Sequence, residues 1–227
     1  MLREIIEELI ATDIPGFVFS MLIPLLFLIV MIKDKRSKHV LLYFAWGVCS
    51  VLFAYVFNEW FSRLSGGIGN VSADIAPIVE ETLKALPLLL FFWRKNLSPM
   101  IIIYCAMASG IGFSVQEMLY YFTQFTADSG LYSLIPLLVR TATTCLMHGM
   151  TTAIIGFGLT ITVNLRIIRV PMVLGLLALA SVIHSLYNIL INTRLAVLAL
   201  IMPAALYLTG LALSSGEGAE EGADDGV

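Results

Sequence analysis

Charge is what this sequence lacks most. Only 13% of its 227 residues are charged, whereas an ordinary soluble domain carries roughly 25%. Hydrophobic residues make up 59% of the chain, and its mean hydropathy is +0.93. This composition argues against a soluble fold, intrinsic disorder, a coiled coil and a nucleic-acid-binding surface. It indicates an integral membrane protein, with enough length for about seven spans of ~20 residues.

Cysteine is also scarce. The three cysteines, Cys49, Cys105 and Cys145, all lie within apolar runs. An odd number of cysteines in such runs provides neither a disulfide framework nor the paired CxxC spacing of a cysteine metal site. We therefore expect them to be small core residues.

Acidic charge is concentrated at the C-terminus. Five of the 16 acidic residues lie in the last eleven positions: Glu217, Glu220, Glu221, Asp224 and Asp225. The rest of the chain then has 11 acidic residues against 13 basic ones. The formal charge of −3 therefore reflects the tail, and residues 214–227 are predicted to form an acidic, disordered segment.

Long apolar runs predict an all-α polytopic membrane protein with about seven transmembrane helices. The runs cover residues 14–32, 40–62, 75–93, 100–122, 144–164, 171–191 and 195–213. Together they predict a single helical membrane domain over 14–213. Residues 1–13 are predicted to form an amphipathic helix at the membrane surface. The apolar residues 131–143 are predicted to form a separate interfacial or re-entrant helix ending near Arg140, or else an eighth span.

Basic residues predict the orientation of these helices. Eight of them lie in alternate loops, at Lys33, Lys35, Arg36, Lys38, Arg94, Lys95, Arg166 and Arg169. Three lie on the opposite side, at Arg3, Arg63 and Arg194. Since short cytoplasmic loops carry the excess of Lys and Arg, we expect the N-terminus outside and the acidic tail in the cytoplasm.

Polar groups inside the apolar runs are the candidate functional residues, because ionisable side chains in a span are costly and usually functional. They are Glu80, Glu81, Lys84, Glu117, His148, His184 and Asn188. Counted from the ends of their spans, the carboxylates and imidazoles lie roughly 6–11 Å below the outer surface. We therefore expect four helices to bring them into one layer nearer the outer face.

Spacing within the helices supports this grouping. Lys84 follows Glu80 by four residues and Glu81 by three, so its ammonium can neutralise either carboxylate. Phe113 and Glu117 share one face of their helix. Lys84 and Phe113 are therefore predicted to support the site.

Carboxylates and imidazoles at one depth are suited to hydrolysis by activated water. A carboxylate beside an imidazole at low dielectric can act as a general base. Glu117, His148 and His184 could instead hold Zn²⁺ with an open position for water, and Asn188 could stabilise an oxyanion. Two other classes stay open, because Glu/His layers also form proton or cation relays in transporters and because a non-catalytic scaffold could carry the same residues.

Four motifs resemble those of the PrsW family of membrane proteases, within the wider group that includes CAAX prenyl endopeptidases. The matching segments are 80–84 (EETLK, similar to EExxK), 112–117 (GFSVQE, similar to GFxxxE), His148 with Gly156 (similar to H-x7-G) and 184–188 (HSLYN, similar to HxxxN). The resemblance spans about residues 75–192. It departs from the family pattern at Met118, where PrsW-type sequences commonly have Asn.

The resemblance implies an endopeptidase, of glutamic or metallo type, that cleaves membrane-anchored proteins or peptides. We expect Glu80 or Glu81 to activate water, with His148 assisting. Glu117 and His184 would then complete the water or zinc site. The expected partners are such a substrate and the lipid bilayer, with no nucleic acid, and the expected location is a prokaryotic plasma membrane.

Overall fold

Helices make up all the regular structure in the part of the chain that the computed structural model describes. That part comprises residues 14–31, 37–64, 74–92, 98–124, 130–162, 165–191, 193–206 and 208. Its α-helices are α1 (Ile14–Met31), α2 (Ser37–Leu64), α3 (Ala76–Ala85), α4 (Pro99–Gln124), α5 (Gly130–Ile161), α6 (Arg166–Ile191) and α7 (Ala196–Leu206). A 3-10 helix over Leu86–Phe92 follows α3 directly. The prediction of an all-α fold is thus confirmed.

Four of the described helices, α2, α4, α5 and α6, are long and apolar enough to cross a membrane. Their apolar stretches have 21 to 27 residues, and a hydrocarbon core of about 30 Å needs about 20 helical residues. Most of α4 and α5 is buried inside the bundle, whereas most of α2 and α6 faces outward. The total of seven spans and the orientation of the termini stay predictions.

The helix α3 is short because a proline follows it. Pro87 has no backbone N–H, so the carbonyl of Leu83 lacks the donor that a further α-helical turn would supply. The indole Nε1 of Trp46, on α2, donates to this carbonyl at 2.9 Å. The chain tightens into the 3-10 helix at this point.

Two more side chains anchor the same end of α3. The hydroxyl of Tyr43 donates to the carbonyl of Pro87 at 2.8 Å, and the hydroxyl of Ser109 donates to that of Lys84 at 2.9 Å. The end of α3 is thereby fixed to α2 on one side and to α4 on the other. The α-helix and the 3-10 helix together rise about 29 Å, which is close to the thickness of the hydrocarbon core.

The prediction of a separate helix over 131–143, ending near Arg140, is wrong. These residues form the first part of α5, which continues unbroken over 32 residues. Between Leu137 and His148 the sequence has neither glycine nor proline, so no residue there ends the helix. At 1.5 Å a residue α5 is about 48 Å long, and it is therefore longer than the hydrocarbon core is thick.

Glycines on α4 allow close backbone contacts with the helices on either side. A Cβ added at Gly110 would lie 2.0 Å from the carbonyl oxygen of His148 on α5. One added at Gly112 would lie 2.1 Å from the carbonyl oxygen of Phe44 on α2. Small residues at such contacts are typical of helix packing in membranes. The backbone of α4 therefore sets the position of the helix that carries His148.

Two predicted segments lie outside the described residues. They are the amphipathic segment 1–13 and the acidic tail 214–227. The division of the chain into these segments and one membrane domain over 14–213 stays a prediction.

Candidate active site

Glu81 is the most highly connected residue of the candidate site. Its Oε1 lies 2.6 Å from Lys84 Nζ, 2.9 Å from His184 Nδ1 and 3.1 Å from Thr151 Oγ1. The donors come from three helices, α3, α6 and α5. The side chains of Glu81 and Lys84 are both completely buried, and charges this deep need such partners. Glu81 therefore joins three elements of the site through one oxygen atom.

The contacts of His184 assign its tautomer. Its Nδ1 faces the carboxylate of Glu81, which only accepts hydrogen bonds, so Nδ1 carries the proton. In the neutral ring Nε2 then carries a lone pair, and it lies 3.7 Å from Oε2 of Glu80. A histidine held through one nitrogen by a carboxylate, with the other nitrogen available, is the usual arrangement of a metal ligand. His184 is therefore oriented to bind a cation.

His148 bridges the two sides of the site. Its Nδ1 lies 2.7 Å from Lys84 Nζ, and its Nε2 contacts Oε2 of Glu117. The rings of His148 and His184 meet edge to face, with centroids 4.7 Å apart. Helices α5 and α6 thus bring two imidazoles into direct contact between two carboxylates, those of Glu117 and Glu80.

The position of His148 is set by its surroundings. The hydroxyl of Thr152 donates to its carbonyl at 2.9 Å. The Phe113 ring lies 5.2 Å from the imidazole and 5.0 Å from Lys84 Nζ, which adds a cation–π contact at one edge of the site. Phe113 thus shields the lysine and the histidine together.

The three glutamates differ in exposure. The side chain of Glu81 is 0% exposed, whereas those of Glu80 and Glu117 are 16% and 20% exposed. Among the described residues of the site, only the side chains of Glu80 and Glu117 are therefore open to solvent. With all three ionised, Lys84 would balance one charge and leave two negative charges in the site.

One group of donor atoms fits a metal ion. Single ligand atoms of Glu80, His148 and His184 all lie within 4.8 Å of one another. Two imidazoles and a carboxylate form the ligand set of many catalytic zinc sites, which keep a further position for water. With all three carboxyl groups ionised, the residual double negative charge would also match a divalent cation. The donor set therefore fits Zn²⁺, with Glu80 in the place that the sequence assigned to Glu117.

The structure brings most of the predicted site residues together. Six of them are linked in one network of pairwise contacts: Glu80, Glu81, Lys84, Glu117, His148 and His184. Asn188 is half-buried on α6, one turn beyond His184. The roles of these residues stay predictions.

Sequence reasoning missed two polar residues beside the site. Thr151 contacts Glu81 from α5, and it lies on the same helix three residues after His148. The side chain of Asn58, on α2, lies near the carboxyl group of Glu80. Both are neutral residues of kinds that occur often in apolar helices, so composition alone gave no signal. Thr151 could have been identified from its position three residues after His148, which places both side chains on neighbouring parts of one helix surface.

The chain is similar over most of its length to a known family. Residues 35–213 match a family model described as PrsW family intramembrane metalloprotease. The matched region contains α2 to α7 and every residue of the candidate site. No curated protein and no solved structure gives a significant match to the chain.

Proposed function

The chain belongs to the PrsW family of intramembrane metalloproteases, and we propose that its Glu/His site hydrolyses a peptide bond in membrane-anchored proteins or peptides. Membership makes the chain a membrane-embedded peptidase, which disfavours the transporter and scaffold alternatives. The site lies among helices long and apolar enough to span a membrane. A substrate anchored in the same bilayer could therefore meet it without leaving the lipid.

We assign different roles to the three glutamates because their surroundings differ. Glu81 Oε1 accepts from three donors and its side chain is fully buried, which suits a residue that orients His184. Glu80 and Glu117 are partly exposed, which suits residues that meet the ion, the water and the substrate. We assign Glu80 to the cation and Glu117 to the general base.

The ligands assigned to the ion are Glu80, His148 and His184. The family is one of metalloproteases, and the donor atoms of these three residues cluster within 4.8 Å. A bound Zn²⁺ would polarise the scissile carbonyl and promote ionisation of water. Glu117, which contacts His148, would accept the proton of the attacking water and return it to the leaving amine.

The remaining residues are assigned to support. Lys84 would balance the charge of Glu81, and Phe113 would shield Lys84 and His148 from solvent. Asn188, one turn from His184, would donate to the oxyanion that forms on the scissile carbonyl. The proposed location is a prokaryotic plasma membrane. The distribution of basic residues among the loops supports an orientation in which the site lies nearer the outer face.

Metal content and hydrolysis test the assignment together. The wild-type chain, purified in detergent, should contain about one Zn²⁺ and should cleave quenched-fluorescent single-span peptides until a chelator is added. Glu80→Gln should lower zinc affinity and activity together. Glu117→Gln should keep zinc while kcat falls by about 10²–10⁴-fold, the usual contribution of a general base. The opposite pattern would restore Glu117 as the ligand and Glu80 as the base.

A matched control comes from a glutamate outside the site. Glu59 forms an exposed ion pair with Arg63 on α2, at 2.9 Å. Glu59→Gln should change neither zinc content nor hydrolysis. Chelator-resistant cleavage that still requires Glu80 would replace the metal mechanism with a glutamic one.

A further inference from the structure

Tyr187, on α6, lies one helical turn from the pair of imidazoles. It follows His184 by three residues, and its hydroxyl contacts Thr144 on α5, which precedes His148 by four residues. A step forward along α5 therefore corresponds to a step back along α6, so the two helices run antiparallel. The contact of Tyr187 and the contact of the two histidines are neighbours along this helix pair.

Three hydroxyl groups form a hydrogen-bonded chain at the contact of Tyr187. The Thr143 hydroxyl donates to the carbonyl of Val139 at 2.9 Å, so its oxygen accepts from the Tyr187 hydroxyl, which lies 3.0 Å away. A tyrosine hydroxyl has one proton to donate. Since that proton goes to Thr143, the Tyr187 oxygen accepts from the Thr144 hydroxyl at 2.9 Å. The Tyr187 hydroxyl is thus held by α5 both as donor and as acceptor.

The surroundings of Tyr187 distinguish between two roles for its side chain. A phenol close to a hydrolytic site could act as a general acid or as an oxyanion donor. The side chain is only 2% exposed, however, and its ring belongs to an apolar cluster with Met147 on α5 and Ala199 on α7. Its one proton is donated to Thr143. These contacts disfavour a direct role in catalysis and favour a link between helices.

We propose that Tyr187 is a positioning residue, whose two hydrogen bonds to α5 hold α6 where His184 and His148 can bind one cation. This inference rests on the metal site proposed above. Helices in lipid gain little from apolar burial, so hydrogen bonds between them and close packing determine their relative positions. The imidazole centroids are 4.7 Å apart, and a small rotation of α6 would change this separation. Zinc sites keep their ligand distances within about 0.2 Å.

The test measures zinc affinity and the visible absorption of bound Co²⁺, both in the full chain in detergent. Tyr187→Phe removes the hydroxyl but keeps the ring in its apolar cluster. It should weaken zinc binding by about 3- to 20-fold, the effect of one hydrogen bond between membrane helices. It should also change the Co²⁺ spectrum, which depends on coordination geometry. A residue needed only for packing would lower Tm of the metal-free protein and leave both measurements unchanged, which would overturn the inference.

Thr144 keeps the inference testable if Tyr187→Phe does not fold. Thr144→Val has a similar shape but no donor, and it should weaken zinc binding, whereas Thr144→Ser keeps the hydroxyl and should bind zinc like the wild type. Thr160→Val is the matched control, because the Thr160 hydroxyl donates within α5, to the carbonyl of Phe157 at 2.7 Å. It should leave zinc binding unchanged. Wild-type zinc affinity in Thr144→Val would overturn the inference.

His184→Ala separates failure of the inference from failure of the metal site. If His184→Ala leaves zinc affinity unchanged, the proposed ligand set is wrong. If it abolishes zinc binding and Tyr187→Phe does not weaken it, only the role of Tyr187 is wrong. Because Thr144 acts through Tyr187, Thr144→Val should weaken binding no further in the Tyr187→Phe background. Full additivity of the two losses would contradict that route.

Discussion

A single oxygen atom, Oε1 of Glu81, joins the parts of the site at the residue scale. It accepts from Lys84, Thr151 and His184, while Oε2 of the same carboxylate has no partner among the described residues. The charge of Glu81 is therefore stabilised on one side only. Its stability depends on the ammonium of Lys84, which is equally buried.

Removal of Lys84 should consequently destabilise the fold. Lys84→Met leaves the charge of Glu81 buried without its cation, and we expect a loss of about 3–5 kcal/mol in the free energy of unfolding. Denaturant unfolding in detergent micelles measures this loss. Lys84→Met combined with Glu81→Gln should recover much of it, since no unpaired charge remains.

The exposed ion pair on α2 is the control for this prediction. Arg63→Gln breaks the contact with Glu59, whose side chain is half exposed, and should cost less than about 1 kcal/mol. Equal losses for the Lys84 and Arg63 variants would mean that burial does not govern the pair in the site.

Sequence alone predicted the charged members of the site but not their partners. Glu81 and His184 stand out because ionisable residues are rare in apolar runs. Thr151 and Asn58 are neutral, and Thr151 hydrogen-bonds Glu81 across helices from a position 70 residues away. Such contacts depend on the rotation of each helix about its axis. Hydropathy does not define that rotation.

At the scale of the helices, the close approach of α4 and α5 positions His148. Gly110 lies against the backbone of His148, with no room for a Cβ between them. Helix α5 cannot move outward without shifting His148 relative to Glu117 and Lys84. The same contact that packs the helices therefore sets the geometry of the reacting groups.

Gly110→Ala should separate these helices and impair hydrolysis. A misplacement of about 1 Å in an active site can cost about 10²-fold in rate, and we expect a fall of that order in kcat/KM. Gly175→Ala on α6 is the control, because a Cβ there would meet nothing within 4 Å. It should retain full activity, and unchanged activity in Gly110→Ala would show that the contact does not position His148.

Helix positions were largely predictable from the apolar runs, whereas breaks and continuations were not. The run 171–191 lies within Arg166–Ile191, and 100–122 within Pro99–Gln124. We predicted a separate helix over 131–143 because the apolar run 131–164 is too long for one span. No glycine or proline lies at the predicted boundary near Arg140, and the helix continues through it. The end of α3 required side chains from α2 and α4, which local sequence does not reveal.

Charge balance governs the site at the scale of the whole molecule. Three carboxylates and one ammonium lie among apolar helices. A divalent cation would neutralise the excess and link α3, α5 and α6 through Glu80, His148 and His184. Metal binding should therefore stabilise the bundle as well as enable its chemistry.

Zinc should raise the thermal stability of the wild-type chain. A ligand at 100 times its Kd adds about 2.7 kcal/mol to the free energy of unfolding, which calorimetry or dye-based melting in detergent can detect. The variant with His148→Ala and His184→Ala should show no such increase. An equal increase in both proteins would place the stabilising zinc elsewhere on the molecule.

The anchored end of α3 has a consequence for how the protein is made. The segment 76–92 carries Glu80, Glu81 and Lys84, and each such charge opposes insertion into lipid by about 2.5–3.5 kcal/mol. Ser109, which donates to the carbonyl of Lys84, emerges from the ribosome only after this segment. The segment must therefore wait at the translocon, or in a shallow position, until α4 arrives. Chains ending before α4 should leave it accessible to water-soluble labelling reagents, and full-length chains should protect it.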